Sequence, residues 1–499
     1  MTESHARGAA HQRLHTARSD PPPARDGNPD GGPDHGDDRA AVTKDPGACR
    51  PARGGRRADA VTAAAGALLL VAAALIGAAI QRADGTLQVP WPPLQASWLP
   101  HLGPGTPAAV LVAVAVVSRA PGLARRLSWR RLLVVTWGAA MAWTWALALV
   151  DGWQRGVAGR LTTGFEYLSQ IDRFADVPAA LRDYTQHILS TQPQPWATHV
   201  AGHPPGAVLT FVGLDRLGLG GGAWAAVWCI TTGSSAAAAA LVAVRALGDE
   251  ATARRAAPFL ALSPAAIWVG VCADGYFTGV VTWGLALLAP AATRATARPR
   301  SAALAAGLLL GLAAYLSYGL VLVAVPATAV LLLARTARPL PAAVLGAASV
   351  AAAFTVAGFA WWQAYPLLVQ RYYQGAGGIR PYGYWVWADL ACALFSTGLA
   401  ALAATRRALA ATPSAVIRLR TGAPSGPQVV AVLAAAAVLT VLIADLTGMS
   451  KAETERIWLP FTIWLLPAAA LLPGRDHRRW LACQAVLALL VNHLLLTLW

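Results

Sequence analysis

The chain is 499 residues long, 56% hydrophobic and only 13% charged, with a mean hydropathy of +0.47. Soluble proteins carry about 25% charged residues, so the composition argues against a soluble globular enzyme. Lys and Arg number 40 against 24 Asp and Glu, a net charge of +16; the arginines cluster between apolar runs, so the basicity reads as a membrane-topology signal and no nucleic-acid partner is expected.

Residues 1–57 are rich in Pro, Gly, Asp and Arg and nearly free of bulky apolar residues, as in PPPARDGNPDGGPDHGDDRA. Such a segment cannot bury enough surface to offset its ordering entropy, so a disordered tail is expected. A polar stretch of that length ahead of the first apolar run is not a signal peptide. His5, His11, His15 and His35 fall in it and read as solvated.

From Arg56-Arg57 onward, apolar runs predict about thirteen membrane spans in an all-α polytopic protein. They lie near 58–80, 104–120, 132–150, 222–244, 256–272, 276–292, 302–317, 319–334, 340–362, 384–404, 428–446, 457–473 and 480–498. The first two, within 58–131, read as an additional amino-terminal hairpin ahead of a transmembrane domain over 132–499. Arg56 and Arg57 place the amino terminus in the cytoplasm, and the later clusters, from Arg125/Arg126 to Arg478/Arg479, then fall on the same side. This alternation requires that 203–218 not span. That stretch is short, opens with His203-Pro204-Pro205 and carries Asp215-Arg216; it is expected as a helix in the outer interface, apolar face in lipid.

The five cysteines (Cys49, Cys229, Cys272, Cys392, Cys483) show no CxxC or Cys/His spacing. They read as small buried apolar residues, with neither a disulfide framework nor a zinc site expected.

The predicted topology has large outer loops at 151–221, 363–383 and 447–456, gathers the acids in the first and last of these and in the outer turn at Asp274, and leaves the span centres almost uncharged. A carrier needs polar groups at the midplane, so an outward-facing enzyme fits better than a transporter or flippase of lipid-linked sugars. A non-catalytic partner in envelope assembly is the other alternative. Asp151 ends a span in LALVDGWQRG, where desolvation can raise its pKa into the range of a general base; an interfacial helix cap is the plainer reading. Glu166 and Asp172 follow in GFEYLSQIDRFAD, with Asp172 and Asp176 on one face if that stretch is helical. His203 is held by two prolines suited to a helix start, and Asp274 closes a second outer turn, GVCADGYFTG.

Two basic groups complete the candidates. Arg371 and Arg380 lie among Tyr365, Tyr372, Tyr373 and Tyr382, and Lys451 and Arg456 flank Glu453 and Glu455. Arginine forks bind phosphate oxygens, and aromatic rings pack on a sugar face or an isoprenoid chain. An aromatic belt with interfacial arginines, and a salt-bridged loop, are the plainer readings. No GxxxxGK[ST] or GxGxxG nucleotide signature is present, so a donor on the outer side has to arrive in the membrane.

In the order Asp151, His203-Pro204-Pro205, Asp274 and Glu455-Arg456 with Leu459-Pro460, the chain resembles the GT-C superfamily of integral-membrane glycosyltransferases. The branch it most resembles contains protein O-mannosyltransferases and the aminoarabinose and RgtA-like transferases. The resemblance covers roughly 132–475, and the Arg-dominated, Ala-rich composition is similar to that of actinobacterial membrane proteins. It implies transfer from a polyprenyl-phosphate sugar to a glycan, lipid or protein acceptor on the outer face. Asp151 or Glu166 would serve as base; Asp172, His203 and Asp274 would line the acceptor pocket; Arg371, Arg380, Lys451 or Arg456 would bind the donor phosphate. Relatives using monophosphate donors need no metal, so no metal or other cofactor is expected. The family often carries an Asp-Glu pair in the first outer loop, whereas Asp151 is followed by Gly152, which leaves the base open between Asp151 and Glu166.

Overall fold

A computed structural model describes residues 53–419 and 422–498. The tail read as disordered lies outside them except for its last few residues, which open the first helix; Lys44, Cys49 and the four tail histidines lie outside as well.

In chain order the main elements are α1 (Arg53–Asp84), β1 (Ala96–Trp98), α2 (Thr106–Arg126), α3 (Trp129–Ala148), α4 (Gly206–Arg216), α5 (Gly222–Leu247), α6 (Glu250–Ala261), α7 (Ala273–Thr293) and α8 (Pro299–Leu316). There follow α9 (Ala324–Ala334), α10 (Leu340–Val356), α11 (Trp361–Gln374), α12 (Tyr382–Thr397), α13 (Leu399–Arg418), α14 (Gly426–Leu446), α15 (His477–Leu494) and β2 (Leu495–Thr497). Ala- and Gly-rich faces let α5 and α7 pack closely at the centre of the bundle, which suits helices in an apolar solvent where small residues favour close approach. β1 and β2 pair antiparallel, Ala96 with Thr497 and Trp98 with Leu495.

By length and composition, seven helices among the described residues can cross a membrane, or nine if each of two sharply bent pairs is one span. About thirteen were expected. The difference lies in apolar runs that the backbone interrupts. Gly358, at φ 103°, turns the chain by 78° between α10 and α11, and Gly398, at φ 86°, sits at the 109° bend between α12 and α13; only glycine adopts such angles without a steric penalty. Run 256–272 breaks after α6 around Pro264, and run 457–473 divides into the short helices Thr454–Ile457 and Leu459–Thr462 and a 3-10 stretch Ile463–Leu471 that contains Pro467. Run 319–334 starts as a 3-10 stretch, Tyr318–Val323, before α9.

The helix expected in the outer interface is α4. Its apolar face is covered by protein: Ala207, Val208, Phe211 and Val212 are buried, Phe211 stacks on Tyr167 at 5.5 Å, and Arg216 donates to the carbonyls of Phe174 and Ala175. A run of exposed aromatics lies instead on α11, at Trp362, Tyr365 and Tyr373.

Ion pairs tie the helices together at both ends of the bundle. At one end Asp59 of α1 accepts from Arg406 at 2.6 Å and from Arg407 at 2.6–3.0 Å, Arg56 pairs with Asp476, and Arg254 donates to the carbonyls of Ala124 and Leu127. At the other end lie Asp151, Glu166, Asp274 and the loop that carries Arg456.

Candidate functional site

Asp274 sits in the first turn of α7, where the helix dipole favours a carboxylate. A Cβ on the next residue, Gly275, would lie 2.7 Å from the Val269 carbonyl. Glycine there lets the start of α7 fold against the short helix Ala266–Val269 and buries Asp274 among protein atoms.

Arg456 reaches Asp274 from the loop that follows α14. Two successive non-glycine residues of that loop, Ala452 (φ 72°) and Glu453 (φ 64°), are left-handed, a conformation costing on the order of 1–3 kcal/mol each that persists only where the surroundings hold it. Here the restraints are visible. The Ala452 amide donates to Asp389 Oδ1 at 2.9 Å, Thr454 Oγ1 donates to the Asp389 carbonyl at 2.9 Å, and the Lys451 amide donates to the Tyr372 hydroxyl at 3.0 Å. Arg380 Nη1 donates to the Lys451 carbonyl at 2.6 Å, and Lys451 Nζ donates to the carbonyls of Gly377 and Arg380 at 2.9 and 3.1 Å.

So presented, Arg456 binds two acids at once: Nη1 donates to Asp274 Oδ2 at 2.5 Å and Nη2 to Glu453 Oε2 at 2.5 Å. Nη2 also lies 3.3 Å from His199 Nε2, and His199 Nδ1 lies 2.9 Å from Glu166 Oε1. The other Glu166 oxygen, Oε2, is buried without a hydrogen bond. Burial works against the Arg456 charge, but Glu453 and Asp274 outweigh it and hold the guanidinium well above its ordinary pKa. Burial likewise pushes the Glu453 carboxyl up, and Arg456, Arg380 and His199 together bring it below the usual value.

His203 borders this chain. Its Nδ1–H donates to the His199 carbonyl at 2.8 Å, and its ring packs against Tyr167 and Phe277, each with centroids 5.8 Å away. Burial lowers its pKa to about 4, so the ring is neutral near pH 7. Beside Arg456 in sequence, Glu455 faces the other way: it is 1% exposed and neither carboxylate oxygen accepts a hydrogen bond. Burial pushes that carboxyl up to about 8.

Asp151 belongs to a second cluster. Oδ1 meets His101 Nε2 at 2.8 Å, Oδ2 accepts from Arg160 Nη2 at 2.8 Å, and Arg155 stands 3.8 Å away; Arg160 Nη1 donates to the Thr497 carbonyl at 2.5 Å. Both carboxylate oxygens are thus engaged, by His101, just after β1, and by Arg160, which reaches β2.

Of the expected site residues, the structure brings Glu166, His203, Asp274 and Arg456 together. Arg380 and Lys451 stand behind them, with their donors turned to backbone carbonyls; Arg380 Nη2 lies 3.8 Å from Glu453. Asp172 is exposed, and neither it nor Arg371 forms a side-chain hydrogen bond or ion pair among the described residues. Sequence reasoning missed His199. Its signal was the spacing of four residues to His203, across the short helix Thr198–Gly202. Among the described residues no group of three or more His, Cys, Asp or Glu side chains is arranged to hold a metal ion. The described cysteines form no disulfide.

A groove of about 490 Å³ is bounded by Ile76, Ile80 and Asp84 of α1 and by Pro381, Tyr384 and Trp387 at the start of α12. Two of its lining residues, Ile379 and Pro381, flank Arg380 in sequence.

No protein-family model matches the chain, and no curated protein matches it. Among solved structures it is similar to the apo oligosaccharyltransferase of Archaeoglobus fulgidus, with a TM-score of 0.45 and 13% identity over 69% of this chain and 50% of that one. It is also similar to the oligosaccharyltransferase AglB of that organism in complex with an inhibitory peptide and a dolichol-phosphate (TM-score 0.43, 13% identity, 70% and 50% covered). A third likeness is to the complex with zinc and sulfate (TM-score 0.42, 15% identity, 72% and 51% covered). The chain spans about half the length of the solved structures it matches.

Proposed function

We propose that the chain is a membrane glycosyltransferase that moves a sugar from a polyprenyl-phosphate donor to a cell-envelope acceptor at the outer face of the membrane. The observation that carries this reading is the continuous chain Glu166–His199–Arg456–Asp274. It places a buried carboxylate–imidazole pair within hydrogen-bond reach of a buried guanidinium. Transfer of a glycosyl group from a phosphate needs those two functions side by side: removal of a proton from the acceptor hydroxyl and stabilisation of the departing phosphate.

The arginine-rich end of the bundle is assigned to the cytoplasm by the positive-inside rule, which puts the amino terminus inside and the acid-rich end outside. No nucleotide sugar is available there, and the groove between α1 and α12, with Ile76, Ile80, Pro381, Tyr384 and Trp387 on its walls, is the proposed seat of the donor's isoprenoid chain. Arg371, on the aromatic helix α11, is the remaining unengaged cation for the donor headgroup. The base function is assigned to the Glu166–His199 pair in preference to Asp151, because both Asp151 oxygens are engaged, by His101 and Arg160, whereas Glu166 Oε2 accepts no hydrogen bond. His203 accepts a hydrogen bond from the acceptor through Nε2, its Nδ1–H being committed to the backbone.

A carrier of lipid-linked sugars fits less well. The bundle interior holds a cavity of about 50 Å³ bordered by Thr144, Ser234, Ser263, Thr278 and Thr462, room for a few waters but not for a sugar ring. Transfer from radiolabelled polyprenyl-phosphate sugars by membranes containing the wild-type chain, lost in Glu166→Gln at equal expression, tests the assignment.

A further inference from the structure

The surroundings of His199 define its protonation. Arginine only donates hydrogen bonds, so His199 Nε2, facing Arg456 Nη2, is the acceptor in that contact, and the ring proton sits on Nδ1 toward Glu166 Oε1. His199 is therefore a neutral imidazole with its N–H anchored on a buried carboxylate. The two members of this pair differ in access: the imidazole side chain is 11% exposed and the Glu166 side chain 3%. The imidazole is the more accessible member of the pair.

Resting on the transferase reading, we infer that the atom that takes the acceptor's proton is His199 Nε2, with Glu166 orienting the ring and stabilising the imidazolium that forms. Arg456 Nη2 carries two hydrogens. One is directed at Glu453 Oε2 and the other at His199. A donor phosphate oxygen at Arg456 takes the second, and Nε2 is then released to face the acceptor hydroxyl. The acceptor oxygen bonds to the anomeric carbon while its proton passes to Nε2. The bond from the anomeric carbon to the phosphate oxygen breaks, and its electron pair leaves with the polyprenyl phosphate, whose charge is met by Arg456. The imidazolium returns its proton to water after product release.

The other polar and titratable groups around the ring are Glu453, His203 and Tyr167. Glu453 is paired with Arg456, the His203 Nδ1–H is committed to the His199 backbone carbonyl, and Tyr167 packs on His199 with ring centroids 5.9 Å apart.

The test uses the full-length protein in nanodiscs. For wild type, the assignment predicts that kcat/KM for transfer falls with a limiting slope of tenfold per pH unit on the acid side, and that Glu166→Gln, where residual activity is measurable, moves this limb to lower pH. His199→Gln is expected to bind unsubstituted polyprenyl phosphate as wild type does and to lose transfer by about 10²–10⁴-fold. In His199→Ala, added imidazole restores part of the activity, which a purely structural role would not permit. If wild type transfers sugar and Glu166→Gln is inactive while His199→Gln stays within threefold of wild type, the assignment to His199 falls and the transferase reading stands. If His199→Gln or His199→Ala does not fold, the wild-type profile decides, and the absence of any acid limb down to the pH at which the protein unfolds overturns the assignment. If wild type transfers no sugar from any polyprenyl-phosphate donor, the transferase reading and this assignment both fall.

Discussion

Arg456 Nη1 and Asp274 Oδ2, on residues 182 apart in the chain, meet at 2.5 Å with both side chains buried. Through this bond the loop after α14 is fastened to the first turn of α7, and the guanidinium is aimed at His199. A buried pair of this kind is strongly destabilised when one partner is lost, because the other charge stays in a low-dielectric site without compensation. Asp274→Asn is expected to cost about 3–5 kcal/mol of unfolding free energy. The double variant Asp274→Asn/Arg456→Gln is expected to cost less than the sum of the single variants. Denaturation of the four proteins of that cycle in detergent measures the coupling; additive costs would mean that the pair contributes nothing as a pair.

Asp151 is expected to behave as a structural residue. Asp151→Asn removes the countercharge of Arg160 and a partner of His101 and is expected to lower stability by about 3 kcal/mol while leaving kcat of the folded protein within a few-fold of wild type. The contrast is with Glu166→Gln, which is expected to lower kcat by about 10²–10⁴-fold with a smaller effect on unfolding. Parallel unfolding and turnover measurements on the two variants separate the roles.

Stability is expected to fall toward both acid and alkaline pH for opposite reasons. The Glu455 carboxyl, raised by burial from 4.5 to about 8, holds a proton in the folded chain that the unfolded chain has released, so its contribution diminishes as pH rises from about 4.5 to 8. His203, lowered by burial from 6.5 to about 4, stays neutral in the folded chain while the unfolded chain binds a proton, so its contribution diminishes as pH falls from about 6.5 to 4. Each slope is at most about 1.4 kcal/mol per pH unit. The two oppose each other between about 4.5 and 6.5. Glu455→Gln is expected to flatten the alkaline side and His203→Gln the acid side; thermal unfolding of the three proteins from pH 4 to 9 checks both.

At the arginine-rich end, Asp59 lies between Arg406 and Arg407 and latches α1 to α13. Asp59→Asn leaves two guanidiniums facing each other without their shared carboxylate and is expected to destabilise the protein by about 3–5 kcal/mol. The site at the other end is untouched, so turnover per folded molecule is expected to stay at the wild-type value. Limited proteolysis of the folded protein, read for earlier cleavage around α1, reports the loosened latch.

Much of the site was legible because acids and cations at the ends of apolar runs are local features. Glu166, His203, Asp274 and Arg456 all stand out against an Ala- and Leu-rich background. Partner choice is not local: nothing near Asp151 in sequence indicates that His101 meets one of its oxygens, and nothing near Arg380 indicates that its donors turn to the carbonyls of Leu87, Gln88 and Lys451. His199 was hidden for a related reason. A histidine in a polar loop becomes informative only when the fold sets Glu166 on one nitrogen and Arg456 on the other. The expected span count exceeds the seven to nine helices that are long and apolar enough because hydropathy averages over breaks. Gly358 and Gly398 are ordinary glycines in composition, and only their positive φ angles show where the chain turns.

The most direct test of the account is glycosyl transfer from a panel of radiolabelled polyprenyl-phosphate sugars by purified wild type, Glu166→Gln and Asp151→Asn in nanodiscs, each normalised to folded protein. The account predicts transfer by wild type and by Asp151→Asn and its loss in Glu166→Gln. Transfer that survives in Glu166→Gln and disappears in Asp151→Asn would contradict the placement of the base, and no transfer by folded wild type from any donor would contradict the transferase itself.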